Sequence, residues 1–554
     1  MSNMFARPRN ISELPRDIVC NIFDCSAFIN PPCWKGQRPD NLRLTYNLGW
    51  IALTHVCAEW RAVALDMPSL WAQIITTFKT PDIARELASR ACHRNLDLEI
   101  FNGGGRDPLF DIAIELAPDA RSLSIWQDEN DDDAFRSTLA LFSSGHLQVL
   151  ESMTYRFGSN TNPDFPAVVP LHAPRLVTAT LTGIFPASSS LLRNLRALRV
   201  LIYSTQSLSI HDVTLLLSEL VRLERLSLFY HGTLIPPNTR ERPTGIVLMG
   251  RLTELDLTIE STSDACVLLE SIEAPVATAV SVKVPGDDEH PDVLSRFWGN
   301  SISPYIARQR FTTLAFGMRG VHLLGQADSG TENASRIPRP AFTLHVGRSY
   351  IMDHHFLVHN AALPFHTLHR CELRAVVKVE ESDTELIAQY QESQQALIRG
   401  LAGISSLMIR IDSHGLSFLR FRDQDSPLAL PALSSLEIVF ERGLTDRTTE
   451  EERRSWWDKV QAILQCRVRA GGALKRLVLK GKRRSREPEW AIEWLRRAGE
   501  CQTLGLVQTC VDMRVISTQY SINSNEMEEF LYATPVFEAL AEASRSAGPD
   551  PTEH

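Results

Sequence analysis

Between Ile11 and Phe23 the chain reads ISELPRDIVCNIF, with Leu14, Ile18 and Ile22 at i, i+4 and i+8. This spacing puts three branched apolar side chains on one helical face, and Phe23 widens the stripe. Pro15 suits a first helical turn, where its fixed φ is already helical, so the pattern predicts a helix from about Pro15 to Cys25. Residues 30–47 (NPPCWKGQRPDNLRLTYN) interrupt the period with prolines, a glycine and polar residues and read as an inserted loop. Over Leu48–Met67 the period resumes at Trp50, Leu53, Cys57, Trp60 and Ala64, with Val56 and Val63 broadening the face. An amphipathic helix ending before Pro68 is expected there, followed by the short segment SLWAQI carrying Trp71.

From about residue 116 a different pattern takes over. Segments of the form L-x-x-L-x-L recur at Leu198–Tyr203, Leu223–Leu228, Leu252–Leu257, Ile404–Ile409, Leu433–Ile438 and Leu474–Leu479, with related copies at Ala120–Ile125 and Phe311–Phe316. Weaker ones sit at Leu147–Leu150, at Pro174–Leu176 and near Leu368. Well-formed neighbours start roughly 25 to 30 residues apart, the period of leucine-rich repeats. Each copy reads as a short strand with inward leucines. His211–Leu220, Ser263–Ile272 and Thr384–Leu401 read as return helices. One such turn cannot bury its own apolar face, so stacking into a curved solenoid with a parallel sheet on the concave side is the expected α/β fold. The array is expected to be irregular: the asparagine or cysteine that usually follows the strand is missing, and spacing stretches near 281–310 and 320–366. A set of ordinary α/β domains with leucine-rich strands remains the alternative. Gly317–Arg339 and the final SRSAGPDPTEH read as excursions from the array.

The chain has 554 residues, 44% hydrophobic and 22% charged, which is ample apolar material for a core. A formal net charge of -9 gives no general attraction to nucleic acid. MSNMFARPRN lacks the apolar core of a secretory signal, and no later stretch holds eighteen apolar residues, so an intracellular protein that does not span a membrane is expected. The ten cysteines are scattered without the close pairs of a zinc site, which suits reduced thiols in cytoplasm or nucleus.

Leu14-Pro15, Ile18, Ile22-Phe23 and then, after a gap, LTHVCAEWRAVALDMPSLWAQI together resemble the F-box, in the form common among fungal F-box proteins. The match covers about residues 11–75; the long proline-rich spacer departs from the pattern. The resemblance implies docking on a small Skp-family adaptor and, through it, a cullin-RING ubiquitin ligase. Carried over by position, Leu14, Pro15, Ile18, Ile22, Phe23, Val56, Cys57, Trp60 and Trp71 would form or adjoin that interface. Packing of the same residues on the repeat array is the competing expectation. The implied organisation is a tail (1–10), an F-box-like helical module (11–75), linker or capping helices (76–115), the array (116–535) and a second tail (536–554), as in F-box proteins with leucine-rich repeats, whose array holds the protein to be ubiquitinated.

No catalytic residues, cofactor or metal site is predicted. His354, His355 and His359 include an i, i+4 pair but lack the glutamate of a zinc-protease helix. Gly103–Gly105 has neither P-loop lysine nor dinucleotide spacing, and no nucleophile motif is found. Asp128–Asp133 reads as a solvated loop, and Lys480–Arg486 (KGKRRSR) as a loop after a strand, with nuclear import or phosphate contact as the functional alternatives. Trp456-Trp457 and Trp490 with Trp494 are expected to pack inward. The expected function is a non-catalytic substrate receptor for an unknown protein target; the alternative is a leucine-rich scaffold without ligase association.

Overall fold

Helix α1 (Arg16–Ile29) starts immediately after Pro15 and buries Val19 and Phe23, one turn apart. These, and not the Leu14–Ile18–Ile22 row, are its inward face. The computed structural model describes residues 14–38, 41–92, 94–102, 108–127, 132–144, 147–157, 168–187, 192–203, 208–231, 246–275, 278–284, 306, 311–317, 320–325, 341–346, 367–373, 398–410, 416, 419, 428–440, 450–483, 489–513 and 515–516. The chain divides into two compact units, 1–404 and 405–554. Both are mixed α/β with parallel strands.

The expected loop at 30–47 is a β-hairpin instead: β1 (Cys33–Arg38) runs antiparallel to β2 (Asn41–Asn47). Its two ends are tied together. The Trp50 N–H donates to Asn30 O (3.0 Å), Asn47 Nδ2 to Asn30 Oδ1 (2.9 Å) and the Gly49 N–H to Asn47 Oδ1 (3.2 Å). Gly49 has φ +52°, and a Cβ there would stand 2.3 Å from Asn30 O, so only glycine fits this return.

The single helix expected over 48–67 is broken in two. A 3-10 stretch (Gly49–His55) is followed by α2 (Ala58–Leu65), and between them Cys57 is extended at φ -159°. Arg61 Nε donates to the Thr54 carbonyl (3.2 Å), which the break leaves without a helical partner. Pro68 opens α3 (Pro68–Ala72) and Pro81 opens α4 (Pro81–Arg90), each in the first turn, where a missing N–H is harmless. An aromatic core joins these pieces: Phe23 lies edge-on to Trp50 and Trp60, and Trp50 lies 5.0 Å from Trp71, whose Nε1 donates to Ala64 O (2.8 Å).

The sheet of the first unit begins inside the expected linker, at β3 (Leu96–Asn102). It continues in sequence order through β4 (Ala120–Gln127), β5 (Ser152–Phe157), β6 (Thr178–Thr182), β7 (Ala197–Ile202), β8 (Arg225–Tyr230), β9 (Glu254–Ile259) and β10 (Ala279–Val284), every neighbouring pair parallel. The L-x-x-L-x-L pattern has a division of labour. In the copies at Leu223–Leu228 and Leu252–Leu257 the first leucine closes a tight turn just before the strand, Leu223 N–H to Leu220 O and Leu252 to Met249, and the other two point into the core. The copy expected at Leu198–Tyr203 is framed three residues earlier instead, with Leu195 N–H bonded to Leu192 O, Leu198 and Val200 buried and Leu201 on the opposite face. Backbone bonds join successive turns: Glu151 N–H to Arg121 O, Val177 to Glu151, Arg196 to Val177, Glu224 to Arg196 and Thr253 to Glu224, each 2.7–2.8 Å. These satisfy turn polar groups that an asparagine ladder would otherwise serve.

Helices α7 (Ile210–Glu219) and α8 (Thr262–Ser271) match the expected returns. Each is capped by a serine, Ser209 or Ser261, that accepts from the backbone N–H three residues on. α5 (Phe110–Leu116) and α6 (Asp132–Ser143) lie between earlier strands. Most of Thr384–Leu401 lies outside the described residues.

The copy at Phe311–Phe316 does not continue the series. β10 pairs instead with β13 (Ala341–Val346), followed by β12 (Gly320–Gly325) and β11 (Phe311–Gly317) antiparallel, and β14 (Arg370–Leu373) resumes parallel pairing on β11. The expected excursion at 317–339 therefore contains strand β12, and residues 326–340 lie outside the described residues.

In the second unit, β15 (Ser406–Arg410), β16 (Ser435–Phe440), β17 (Leu474–Arg483) and β18 (Val507–Asp512) form a parallel series. Helices α9 (Glu450–Arg469) and α10 (Glu489–Thr503) cluster Trp456, Trp457 and Trp494, all buried. Nothing is described of the Trp490 side chain. Lys480–Arg483 belong to β17 and not to a loop, and Lys480 Nζ pairs with Glu437 at 2.7 Å across adjacent strands.

Candidate functional site

The nine residues expected at an adaptor interface separate into two sets. Phe23, Trp60 and Trp71 are 0%, 4% and 3% exposed and belong to the aromatic core, so a partner could reach them only by opening it. They hold the surface and do not form it. Leu14, Pro15, Ile18 and Val56 are exposed, and Ile22 and Cys57 half-buried. Leu14 and Ile18 lead and begin α1, while Val56 sits at the break before α2, and α1 packs on both α2 and the 3-10 stretch. Cys57 has a local role: its thiol and the backbone N–H of Glu59 hold the Glu59 carboxyl below its ordinary range, the backbone bond contributing more. Sequence periodicity missed Phe28 and Ile29, 90% and 79% exposed at the end of α1 beside the hairpin. Leu48 and Leu65 are exposed as well. Exposed apolar side chains are normal singly; here several stand on one small helical segment.

The second candidate surface is the face of the first sheet opposite the leucines. Strand alternation and register line up Glu99, Ser124, Thr154, Thr180, Arg199, Ser227, Asp256 and Ser281 in one row, and Phe101, Trp126, Arg156, Thr182, Leu201, Phe229, Thr258 and Lys283 in the next. Phe101 and Trp126 rings lie 5.3 Å apart. The Arg156 guanidinium sits 3.9 Å from the Trp126 centroid and that of Arg199 5.1 Å from Phe229. Burial holds both guanidiniums below their ordinary pKa; for Arg199, Asp256 works in the opposite direction and Arg156 in the same one. None of these residues stands out in the sequence, because only the strand register brings them together.

Among the described residues no cluster of His, Cys, Asp and Glu could hold a metal ion, and all ten cysteines are free. His354, His355, His359 and Gly103–Gly105 lie outside the described residues, as do residues 128–131 of the acidic run. No described helix is long and apolar enough to cross a membrane. In comparisons with known proteins, no protein-family model matches the chain, and no curated protein matches it either.

Proposed function

We propose that the chain is the substrate-recognition subunit of an SCF-type cullin-RING ubiquitin ligase, acting in cytoplasm or nucleus without chemistry of its own. In this reading the N-terminal helices are an F-box that docks a Skp-family adaptor, and the parallel strands form an irregular leucine-rich-repeat solenoid that holds a protein target. The observation that carries it is the exposure of Leu14, Ile18 and Val56, at positions where the sequence resembles the F-box, over a core built from Phe23, Trp50, Trp60 and Trp71. An apolar surface on so small a segment is stabilised by a partner that removes it from water. The receptor would then act by proximity, raising the effective concentration of target lysines near the charged ubiquitin enzyme.

A leucine-rich scaffold without a ligase is the second reading. It is favoured by the hairpin at 33–47, which places extra chain and exposed Phe28 and Ile29 beside the same helices. Affinity capture of the wild-type chain beside an Ile18→Asp, Val56→Asp variant separates the two. Adaptor and cullin recovered with wild type, and reduced at least about tenfold in a variant of unchanged melting temperature, support the receptor. Their absence from wild type leaves the scaffold.

A further inference from the structure

Two half-buried arginines on the outer face of the first sheet have aromatic rings beneath them and no acidic side chain in ion-pair contact, although Arg199 feels the charge of Asp256. Among the described residues neither Arg156 nor Arg199 makes a hydrogen bond or an ion pair. They stand on β5 and β7 with one strand between them, so their strands are roughly 10 Å apart. Trp126 and Phe229 hold the two guanidiniums by cation–π contact and take none of their N–H groups.

Beside them lies a second set of unsatisfied groups. Thr258 is 3% exposed, faces the same side by strand alternation and pairs in register with Phe229 under Arg199. Its Oγ1 is buried without a hydrogen-bond partner, as is Asp256 Oδ1 two residues earlier on the same strand. Arg199, Ser227 and Asp256 are successive members of one row, yet Arg199 and Asp256 do not pair across Ser227. Thr258 Oγ1 and Asp256 Oδ1 are both closed off from the surface and form part of the floor beside Arg199, so the groups this face offers to a ligand are the guanidinium donors of Arg156 and Arg199. The ligand must bring oxyanions for the guanidiniums.

We propose that this face binds an extended acidic peptide segment, with its carboxylates on the guanidiniums of Arg156 and Arg199. As the target of a ligase receptor such a segment would be the recognition signal, and to that extent the inference rests on the function proposed above; the site itself rests on the sheet geometry. The protein's net charge of -9 opposes nonspecific capture of an acidic peptide, so binding must come from this local arrangement.

The test uses the full-length chain and a fluorescent eight-residue peptide with glutamate at alternate positions, read by anisotropy. Saturable binding is expected, weakened at least about tenfold by Arg156→Met and by Arg199→Met, which keep the apolar stems, and unchanged by Arg193→Met at an exposed position. Melting temperatures identify any variant that fails to fold, and competition with free glutamate peptide then replaces it as the readout on wild type. Equal binding of a lysine-substituted peptide, binding only of a phosphoserine version, or indifference to both arginine variants would overturn the proposal. Adaptor capture is scored in parallel: peptide binding without adaptor overturns the ligase reading alone, and adaptor capture without peptide binding overturns this inference alone.

Discussion

Phe23 meets Trp50 edge-on, with ring centroids 6.0 Å apart and planes at 87°. Phe23 also touches Trp60, so one phenyl ring joins α1 to both halves of the broken second helix. Phe23→Ala is expected to destabilise this region by about 3–5 kcal/mol, through lost burial and the cavity left behind. Urea denaturation followed by circular dichroism checks this, with Ile18→Ala, at an exposed site, as the near-neutral comparison.

Gly49→Ala should be harmful out of proportion to its size. The left-handed φ costs an alanine about 1–2 kcal/mol, and the added methyl meets the Asn30 carbonyl that receives the Trp50 N–H. Gly250→Ala, where a Cβ would meet nothing within 4 Å, should leave the melting temperature nearly unchanged. Equal melting temperatures for the two variants would refute the account of the hairpin's closure.

In the second unit Arg467 is 2% exposed and donates through Nη1 to Ala429 O and through Nη2 to Leu430 O (3.1 Å). Burial holds its pKa below the ordinary arginine value. Its role is to pair two carbonyls beside Leu430, a residue at φ 51°. Arg467→Met would remove a buried charge but orphan both oxygens, with an expected net loss of about 1–3 kcal/mol in denaturant titrations. A stabilised variant would mean that burying the guanidinium outweighs its bonds.

Thiol chemistry should sort the cysteines. Burial pushes Cys501 up to about 11 and Cys371 higher, Glu372 adding to the latter. Cys25, Cys33, Cys92 and Cys466 are exposed. Brief iodoacetamide treatment at pH 8, read by mass spectrometry, should label those four and spare Cys371 and Cys501 until the chain is unfolded. Early labelling of Cys371 would contradict its placement in the core.

The leucine spacing made most strands legible because each strand repeats one rule: a leucine in the turn, then two inward positions. Where valines take those positions the rule was invisible, as in β10 with Val280, Val282 and Val284; β3, with Leu96, Leu98 and Ile100, escaped it because the sequence has His93 at the place of the turn leucine. Phe311–Phe316 carried the pattern and still broke the series, since the antiparallel strands that separate it from β10 leave no mark on its own residues. On the helical segment, periodicity found the apolar stripe but could not tell Val19 and Phe23, which face the core, from Leu14 and Ile18, which face out. That distinction depends on where Trp50 and Trp60 stand, a matter of tertiary packing. The arginines over Trp126 and Phe229 were equally hidden, lying on separate strands that only pairing brings into line.

The hairpin after α1 returns the chain to within a hydrogen bond of its departure, since Asn30 accepts from Trp50 and from Asn47. Apart from Tyr46, whose hydroxyl accepts from the Lys79 N–H and whose ring meets Phe78, what lies between is not needed to close the aromatic core: the tip of β1 and β2 could lengthen, shorten or change while Phe23 still finds Trp50. Such a limb is free to diverge under selection for a new contact, so a second specificity can be gained here without retuning the aromatic core that the rest of the segment requires.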